Sequence, residues 1–349
     1  MSTRVSSGYR CEPANLDRDR EDILSIWRGG LSNVAGQAAK FDWFYMQGEA
    51  GSPIVSLLFH AESGRRVGIA AAGPRRASWN GRAVRIGVLV DLAVLPEHRS
   101  LFPAMLLQRS LQQSVPGSLA ALYGFPNPRA APVFARVGYS KTLDVRRFVR
   151  VLRSRVYLRR RMPGWAAALV ARPLDLAMSL WAGRWARGPG RFKAAWSSEV
   201  DARVDALWDD TAHGSGPVLV RDAGFLRWRF DRMPGKHFRY LNVEDGNGRL
   251  AAWFACEDDG GTLAVRDFWT IGGYDSIDPS IVRMLLSEAM KTGCSAVSLE
   301  FGGASNIIRN LEAAGFSERS RRPFFSYFGP GSALSSDTGW YVTSADEDE

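Results

Sequence analysis

Val90-Asp91-Leu92-Ala93-Val94-Leu95-Pro96-Glu97-His98-Arg99-Ser100-Leu101-Phe102-Pro103-Ala104 is the stretch that decides the fold. Its first residues close a longer alternation, Val84, Ile86, Val88, Val90, Leu92 and Val94, which predicts a strand with one regular apolar face. Pro96 stops that strand, because proline cannot donate to a ladder. The period then changes: Leu101, Met105 and Leu106, with Phe102 beside them, recur at helical spacing to about Gln113. A buried strand that turns at once into a helix leaves free backbone N–H groups at the positive end of the helix dipole. That is an anion site, and a pyrophosphate is its natural guest. Arg99 can add charge there.

The flanks extend the pattern. A helix is predicted over Glu21–Gly29, then strands over Ile54–His60 and Val67–Gly73. Asn80-Gly81 marks a hairpin into the long strand, since both turn residues must accept positive φ. Leu119–Phe125 reads as a buried strand and Pro128–Val137 as a short helix closed by Gly138. Strand, helix, strand implies a crossover, so the strands from Val84 and from Leu119 should run parallel. The second half repeats this order. Strands are predicted over Phe238–Glu244, Leu250–Cys256 and Thr262–Thr270, then a helix after Pro279, a strand over Ala296–Glu300 and a helix over Asn306–Ala314. Two copies of one order argue for a duplicated unit.

Charge separates the halves. Arg146–Lys193 holds twelve arginines, one lysine and a single acid, a local +12 in a chain of net +9. The rest therefore carries −3. Trp165, Trp181 and Trp185 are interleaved with those arginines, a mixture suited to an anionic membrane surface or to a solvated connector. The tail Asp346-Glu347-Asp348-Glu349 is acidic and reads as frayed. Cys11, Cys256 and Cys294 are too few, too far apart and odd in number for a disulfide scaffold or a metal site. No apolar leader opens the chain and no run is long enough to span a bilayer. The expected place is the cytoplasm, with peripheral contact at the inner membrane face through the linker.

Val90–Ala104 resembles the acyl-CoA-binding motif of the GNAT superfamily. There, hydrophobic strand residues are followed by Arg or Gln, two variable residues, Gly, one variable residue, then Gly or Ala. Arg99 takes the first place and Ala104 the last, while Phe102 stands where the family has Gly. Glycine lets the backbone approach a phosphate closely, so Phe102 and Pro103 leave fewer or differently aimed N–H groups. Downstream, Asn127, Ala130, Gly138 and Tyr139 match a second family pattern. In it, the Asn contacts the cofactor arm and a Tyr protonates the departing thiolate. Phe134 holds that Tyr place, so the acid must be sought at Tyr139 or Tyr123. In the second half the corresponding places hold Ala304 and Leu311, and no Arg-bearing loop follows Thr270, so that copy looks degenerate.

The resemblance implies an α/β protein of two tandem GNAT-like domains, each a mixed, mostly antiparallel twisted sheet flanked by helices. The boundaries read as 1–150, a basic linker 151–196, a second domain 197–335 and a tail 336–349. It implies an N-acyltransferase that uses acetyl-CoA or another acyl-CoA as co-substrate, without a metal. Cofactor contacts are expected from Leu92, Val94, Arg99, Ser100, Leu101, Phe102, Ala104 and Asn127. Amine attack on a thioester needs a base, for which Asp91 has the best position and Glu97 and His98 lie at the loop. The acceptor would be an amine, for example on an amino sugar. Two alternatives stand beside this reading. A FemABX-like aminoacyl transferase would use the basic linker on tRNA, which the partial CoA motif disfavours, so nucleic acid is not an expected partner. A non-catalytic binding or assembly protein would explain Phe102 and Phe134 directly.

Overall fold

The structure is a computed structural model and describes residues 8–31, 36–113, 115–153, 191–329 and 339–347. Most of the basic linker and its three tryptophans lie outside the described residues.

Among the described residues, fourteen strands form one continuous sheet. The first half supplies β1 (Tyr9–Pro13), β2 (Ile54–His60), β3 (Arg65–Trp79), β4 (Arg82–Val94), β5 (Ala121–Gly124) and β6 (Ser140–Val151). The second supplies β7 (Phe192–Ser197), β8 (Val218–Leu219), β9 (Arg239–Asp245), β10 (Leu250–Asp259), β11 (Thr262–Thr270), β12 (Ala296–Gly302), β13 (Ser317–Phe328) and β14 (Val342–Thr343). Their order is β1-β2-β3-β4-β5-β13-β6-β12-β11-β10-β9-β7, with β8 on β3 and β14 on β12. The middle of this order carries an exchange. β13 of the second half pairs with β5 of the first, Phe325 opposite Gly124. β6 of the first half pairs with β12 of the second, Phe148 opposite Leu299. β6 and β13 then pair with each other.

Most predicted elements are present. β2 and β11 run over the predicted residues, and β4 and β5 are parallel. The crossover helix spans Leu101–Gln112. Asn80 and Gly81 both have positive φ, 50° and 69°, as the hairpin requires. Helices cover both faces of the first half's sheet. Arg20–Gly30 packs Ile23, Leu24, Ile26 and Trp27 on one face; Leu101–Gln112 packs Leu107 and Leu111 on the other.

Two expectations need correction. The regular apolar face of β4 is broken by a bulge. Ile69 opposes Ala93 and Ala71 opposes Val90, so β4 has one residue more than β3 between these pairs. Ile86, Val88, Val90 and Ala93 therefore share one core, while Val94 joins the other. Asp91 absorbs the extra residue with φ 53°, a conformation that costs a non-glycine residue energy and persists only when surroundings enforce it. The second correction concerns the tail. Asp346 is buried and Glu347 is ion-paired to Arg322, so neither is frayed. Their anchoring arginines, Arg221, Arg229 and Arg322, are too distant in sequence to be read as partners.

Phe41–Met46 and Arg227–Asp231 are π-helical turns, each leading into a strand of its own half. Neither was expected as such: an aromatic run such as Phe41-Asp42-Trp43-Phe44-Tyr45 has neither a helical nor a strand period. The signal was its recurrence, because Trp43 and Trp228 each sit in a comparable aromatic segment before the second strand of the order.

Candidate functional site

β4 and β5 are paired only at Gly87–Leu122 and Val88–Tyr123. β5 ends one residue later, whereas β4 continues to Val94. Among the described residues, no strand pairs with the outer edge of Leu89–Val94. The two strands therefore part, leaving an opening at their carboxyl ends, where ligands of open α/β sheets bind. Leu89 flanks it, packing so closely on Gly124 that a Cβ there would lie 3.1 Å from Leu89 Cβ. Leu92 is half-buried beside Leu89, and Val94 is turned into the core under the crossover helix.

Beyond β4 the chain makes a 3-10 turn, Pro96–His98, then enters the helix at Leu101 with Ser100 extended at its cap. The cap has no side-chain hydrogen bond, so the first N–H groups, on Leu101 and Phe102, are not satisfied by a capping side chain. Pro103 contributes none. Leu101 and Phe102 are 38% and 41% exposed, which places two apolar side chains at the mouth of the opening. Ala104 is half-buried on the next turn. Arg99 turns back from this mouth. Its Nε donates to Val94 O at 3.0 Å and its Nη2 to Gly30 O at 2.8 Å, which ties the end of the first helix to the end of β4.

The proton-transfer candidates are scattered. Asp91 lies on the bulge, its carboxylate receiving Lys40 Nζ at 2.8 Å and Tyr45 Oη at 2.7 Å. Those donors hold the strained bulge in place. Glu97 is exposed on the 3-10 turn. His98 Nδ1 is 2.9 Å from Tyr9 Oη, and its ring lies 4.6 Å from that of His60. Tyr139 is buried between Phe134 and Tyr327, with a hydroxyl that has no hydrogen-bond partner among the described residues. Burial pushes its pKa well above the ordinary tyrosine value. Tyr123 is also buried, and it donates to Asp346 O at 2.8 Å. Asn127 is exposed and caps the next turn: its Oδ1 accepts from Arg129 N and Ala130 N at 3.0 and 2.9 Å. Its amide nitrogen is on the same side chain and not used in that cap.

The equivalent opening in the second half is filled. β11 and β12 pair from Thr262–Ala296 to Val265–Leu299 and then part. Between them lies the chain's own C-terminal segment. Thr343 and Val342 pair with Phe301 and Gly302 of β12. On the other side Tyr341 Oη donates to Phe268 O at 2.7 Å and Ser344 Oγ to Arg266 O at 2.9 Å, both on β11. Arg221, fully buried, locks the wedge: Nε donates to Asp267 Oδ1 at 3.0 Å and Nη2 to both oxygens of Asp346 at 3.0 and 2.9 Å. Arg229 adds donations to Ala345 O and Glu347 O. The missing motif made this half read as degenerate; the wedge itself gave no signal in the sequence, because its residues lie far along the chain from β11 and β12.

Among the described residues no group of three or more metal-binding side chains comes together, and no helix is long and apolar enough to cross a membrane. No protein-family model and no curated protein matches the sequence. Solved structures do. A probable N-acyltransferase from Enterococcus faecalis superposes with a TM-score of 0.65 at 10% identity, over 92% of this chain and 73% of that one. A GCN5-related N-acetyltransferase from Anabaena variabilis gives 0.63 at 11% identity, over 92% and 72%. The N-myristoyltransferase of Saccharomyces cerevisiae, with myristoyl-CoA bound, gives 0.52 at 11% identity, over 93% and 84%. At such identities the likeness establishes architecture, and on that ground the chain has the fold of the GCN5-related N-acetyltransferases.

Proposed function

We propose that this chain is an acyl-CoA-dependent N-acyltransferase with one working site, in the first half. The observation that carries the reading is the asymmetry of the two openings. β4 and β5 part over a helix start whose N–H groups no side chain caps, while the C-terminal segment is wedged between β11 and β12. The diphosphate of CoA would sit at Ser100, Leu101 and Phe102, with Ala104 behind them, and its arm would run along Leu92 and Val94 toward Asn127. The residues fit such a guest with fewer donors than a glycine-rich loop, because Pro103 has no N–H and Phe102 occupies the approach. Arg99 contributes by holding the loop to Gly30 and Val94 rather than by touching phosphate.

In this reading the acceptor amine attacks the thioester carbon, a C–N bond forms as the C–S bond breaks, and CoA leaves as the thiolate. Orientation in the opening and a main-chain N–H at the bulge supply most of the rate. Asp91 orders that bulge through Lys40 and Tyr45, and is the carboxylate best placed to receive the surplus amine proton; Glu97 sits farther out at the mouth. Tyr139 has no route to a solvent-facing thiolate and is left out. The acceptor class is a small amine such as an amino sugar. We further propose that the halves 1–150 and 197–335 are copies of one unit, and that the basic linker rests on anionic lipid. Sedimentation with anionic and neutral vesicles, at low and high salt, tests the linker.

Calorimetric titration with acetyl-CoA tests the central reading. One equivalent should bind per chain, and thiol release should follow addition of an amine panel. Absence of heat removes the acyltransferase assignment. Saturable binding without thiol release from any amine would favour a binding protein that kept the fold, a reading that the ion pair of Asp91 with Lys40 supports.

A further inference from the structure

The wedge does not fill the second opening to its rim. At the carboxyl ends of β11 and β12 a cavity of about 410 Å³ remains, within the size range of small-molecule sites. One wall is the loop after β11, with Tyr274 and Asp275. The other is the start of the helix Ser305–Ala313, with Ser305 and Asn306. The floor is the wedge itself, Gly339 and Trp340. Gly339 lies close under the tyrosine: a Cβ there would come within 2.5 Å of Tyr274 Oη, so the ring would have to shift. The C-terminal segment thus leaves a short, open pocket at this rim.

Its chemistry is specific. Among the described residues no Lys, Arg or His lines it, but Arg309, on the same face of the helix Ser305–Ala313, donates to Asn306 Oδ1, and the one lining acid, Asp275, stands at the positive end of that helix. Asn306 Nδ2 donates to Asp275 Oδ2 at 3.0 Å, fixing an amide beside a carboxylate. The helix cap, Ala304, makes no side-chain hydrogen bond, leaving backbone donors at the wall. Trp340 is 2% exposed, and its indole N–H has no hydrogen-bond partner among the described residues. A buried indole N–H normally finds one. A carboxylate, an amide held between it and Arg309, a serine hydroxyl, backbone N–H groups and a tyrosine ring together describe a guest rich in hydroxyl groups. We infer that this cavity binds a hydroxyl-rich ligand of monosaccharide size, with Asp275 and Asn306 on adjacent hydroxyls and Tyr274 against the ring.

The inference is independent of acyl-CoA binding, which belongs to the first half. Saturation-transfer NMR on the full chain with D-glucose, D-mannose and N-acetyl-D-glucosamine tests it. At least one sugar should receive saturation. Ser305→Trp, at an exposed rim position, should abolish the transfer, and Asn306→Ala should weaken affinity by up to ~10-fold, the weight of one hydrogen bond. If Ser305→Trp fails to fold, as judged by its thermal melt, the Asn306→Ala comparison decides. No transfer to any of the three sugars overturns the inference. So does transfer undiminished in the variants, which places the sugar elsewhere, or displacement of the sugar by inorganic sulfate, which makes the cavity an anion site.

Discussion

Trp43 and Trp228 stack at 4.9 Å between ring centroids, and each donates its indole N–H to the other's backbone carbonyl, at 2.8 and 3.4 Å. The exchange is reciprocal, as two copies of one turn facing each other would make it. Both rings are buried, and Arg75 lies over Trp228 at 4.4 Å. Trp43→Phe should keep an aromatic contact but orphan the Trp228 carbonyl, costing about 1–3 kcal/mol, while Trp43→Ala should cost about 3–5 kcal/mol through the cavity. Denaturant melts check both. No cost in Trp43→Phe would mean that the hydrogen bond contributes nothing, and equal costs in the two variants would mean that the ring contact contributes nothing beyond it.

The lock on the wedge is titratable. Arg221 faces two buried carboxylates, Asp267 and Asp346, leaving one surplus negative charge. Burial pushes Asp267 up to about 6 and also raises Asp346. With a folded pKa above the unfolded 3.8, the native state holds a proton that the unfolded chain has released. Stability from this group therefore falls as pH rises from about 4 through about 6, then levels. Asp267 Oδ2 has no hydrogen-bond partner among the described residues, so Asp267→Asn should be nearly neutral at pH 7 and should flatten the slope. Asp346→Ala, which removes both carboxylate acceptors of Arg221 Nη2, should cost about 3–5 kcal/mol. Melting temperatures between pH 4 and 8 are the measurement. A large loss in Asp267→Asn would contradict the shared-proton account.

Acetyl-CoA binding should respond to the first loop alone. Arg99→Ala frees the loop from Gly30 and Val94 and should weaken binding by roughly 10-fold. Phe102→Gly should tighten binding or leave it unchanged, because it restores close approach. Calorimetry on both, with a Tyr274 variant as control, reads the outcome. Wild-type affinity in Arg99→Ala would remove the loop from the site, and a clear loss in Phe102→Gly would show that the ring packs on the ligand.

Tyr139→Phe removes a buried hydroxyl that has no partner among the described residues. It should leave thiol release unchanged and stability equal or slightly higher. A fall in turnover at unchanged acetyl-CoA affinity would restore Tyr139 as the acid.

What could be read in advance follows from range. The turn from β4 into the helix at Leu101 was legible because strand alternation, Pro96 and helical spacing are local signals. The bulge at Asp91 was not, since its stabilising partners, Lys40 and Tyr45, lie about fifty residues upstream. Arg99 read naturally as a phosphate ligand because its charge is local information, while its carbonyl partner on Gly30 is not. β6 and β13 escaped notice for a different reason. Their arginine-rich sequences, such as Arg146-Arg147 and Arg319 to Arg322, look solvated, yet the backbone between them is paired from both sides. Tertiary pairing there overrides composition.

The order β5-β13-β6-β12 has a consequence for how the molecule can be taken apart. Each half lends a long strand to the sheet of the other, as in a swapped dimer whose two subunits share one backbone. Cutting the chain at the linker would therefore not yield two small proteins. A fragment ending near 153 would carry β6 with neither of its neighbours and leave β5 with an unpaired edge. The complementary fragment would be equally incomplete with β13. Such open edges favour aggregation when alone and recombination when mixed. The two fragments should accordingly be insoluble apart and recover a single cooperative melt when refolded together. Because those pairings join residues as far apart as 121 and 328, folding must wait for contacts distant in the chain, a topology that predicts slow assembly.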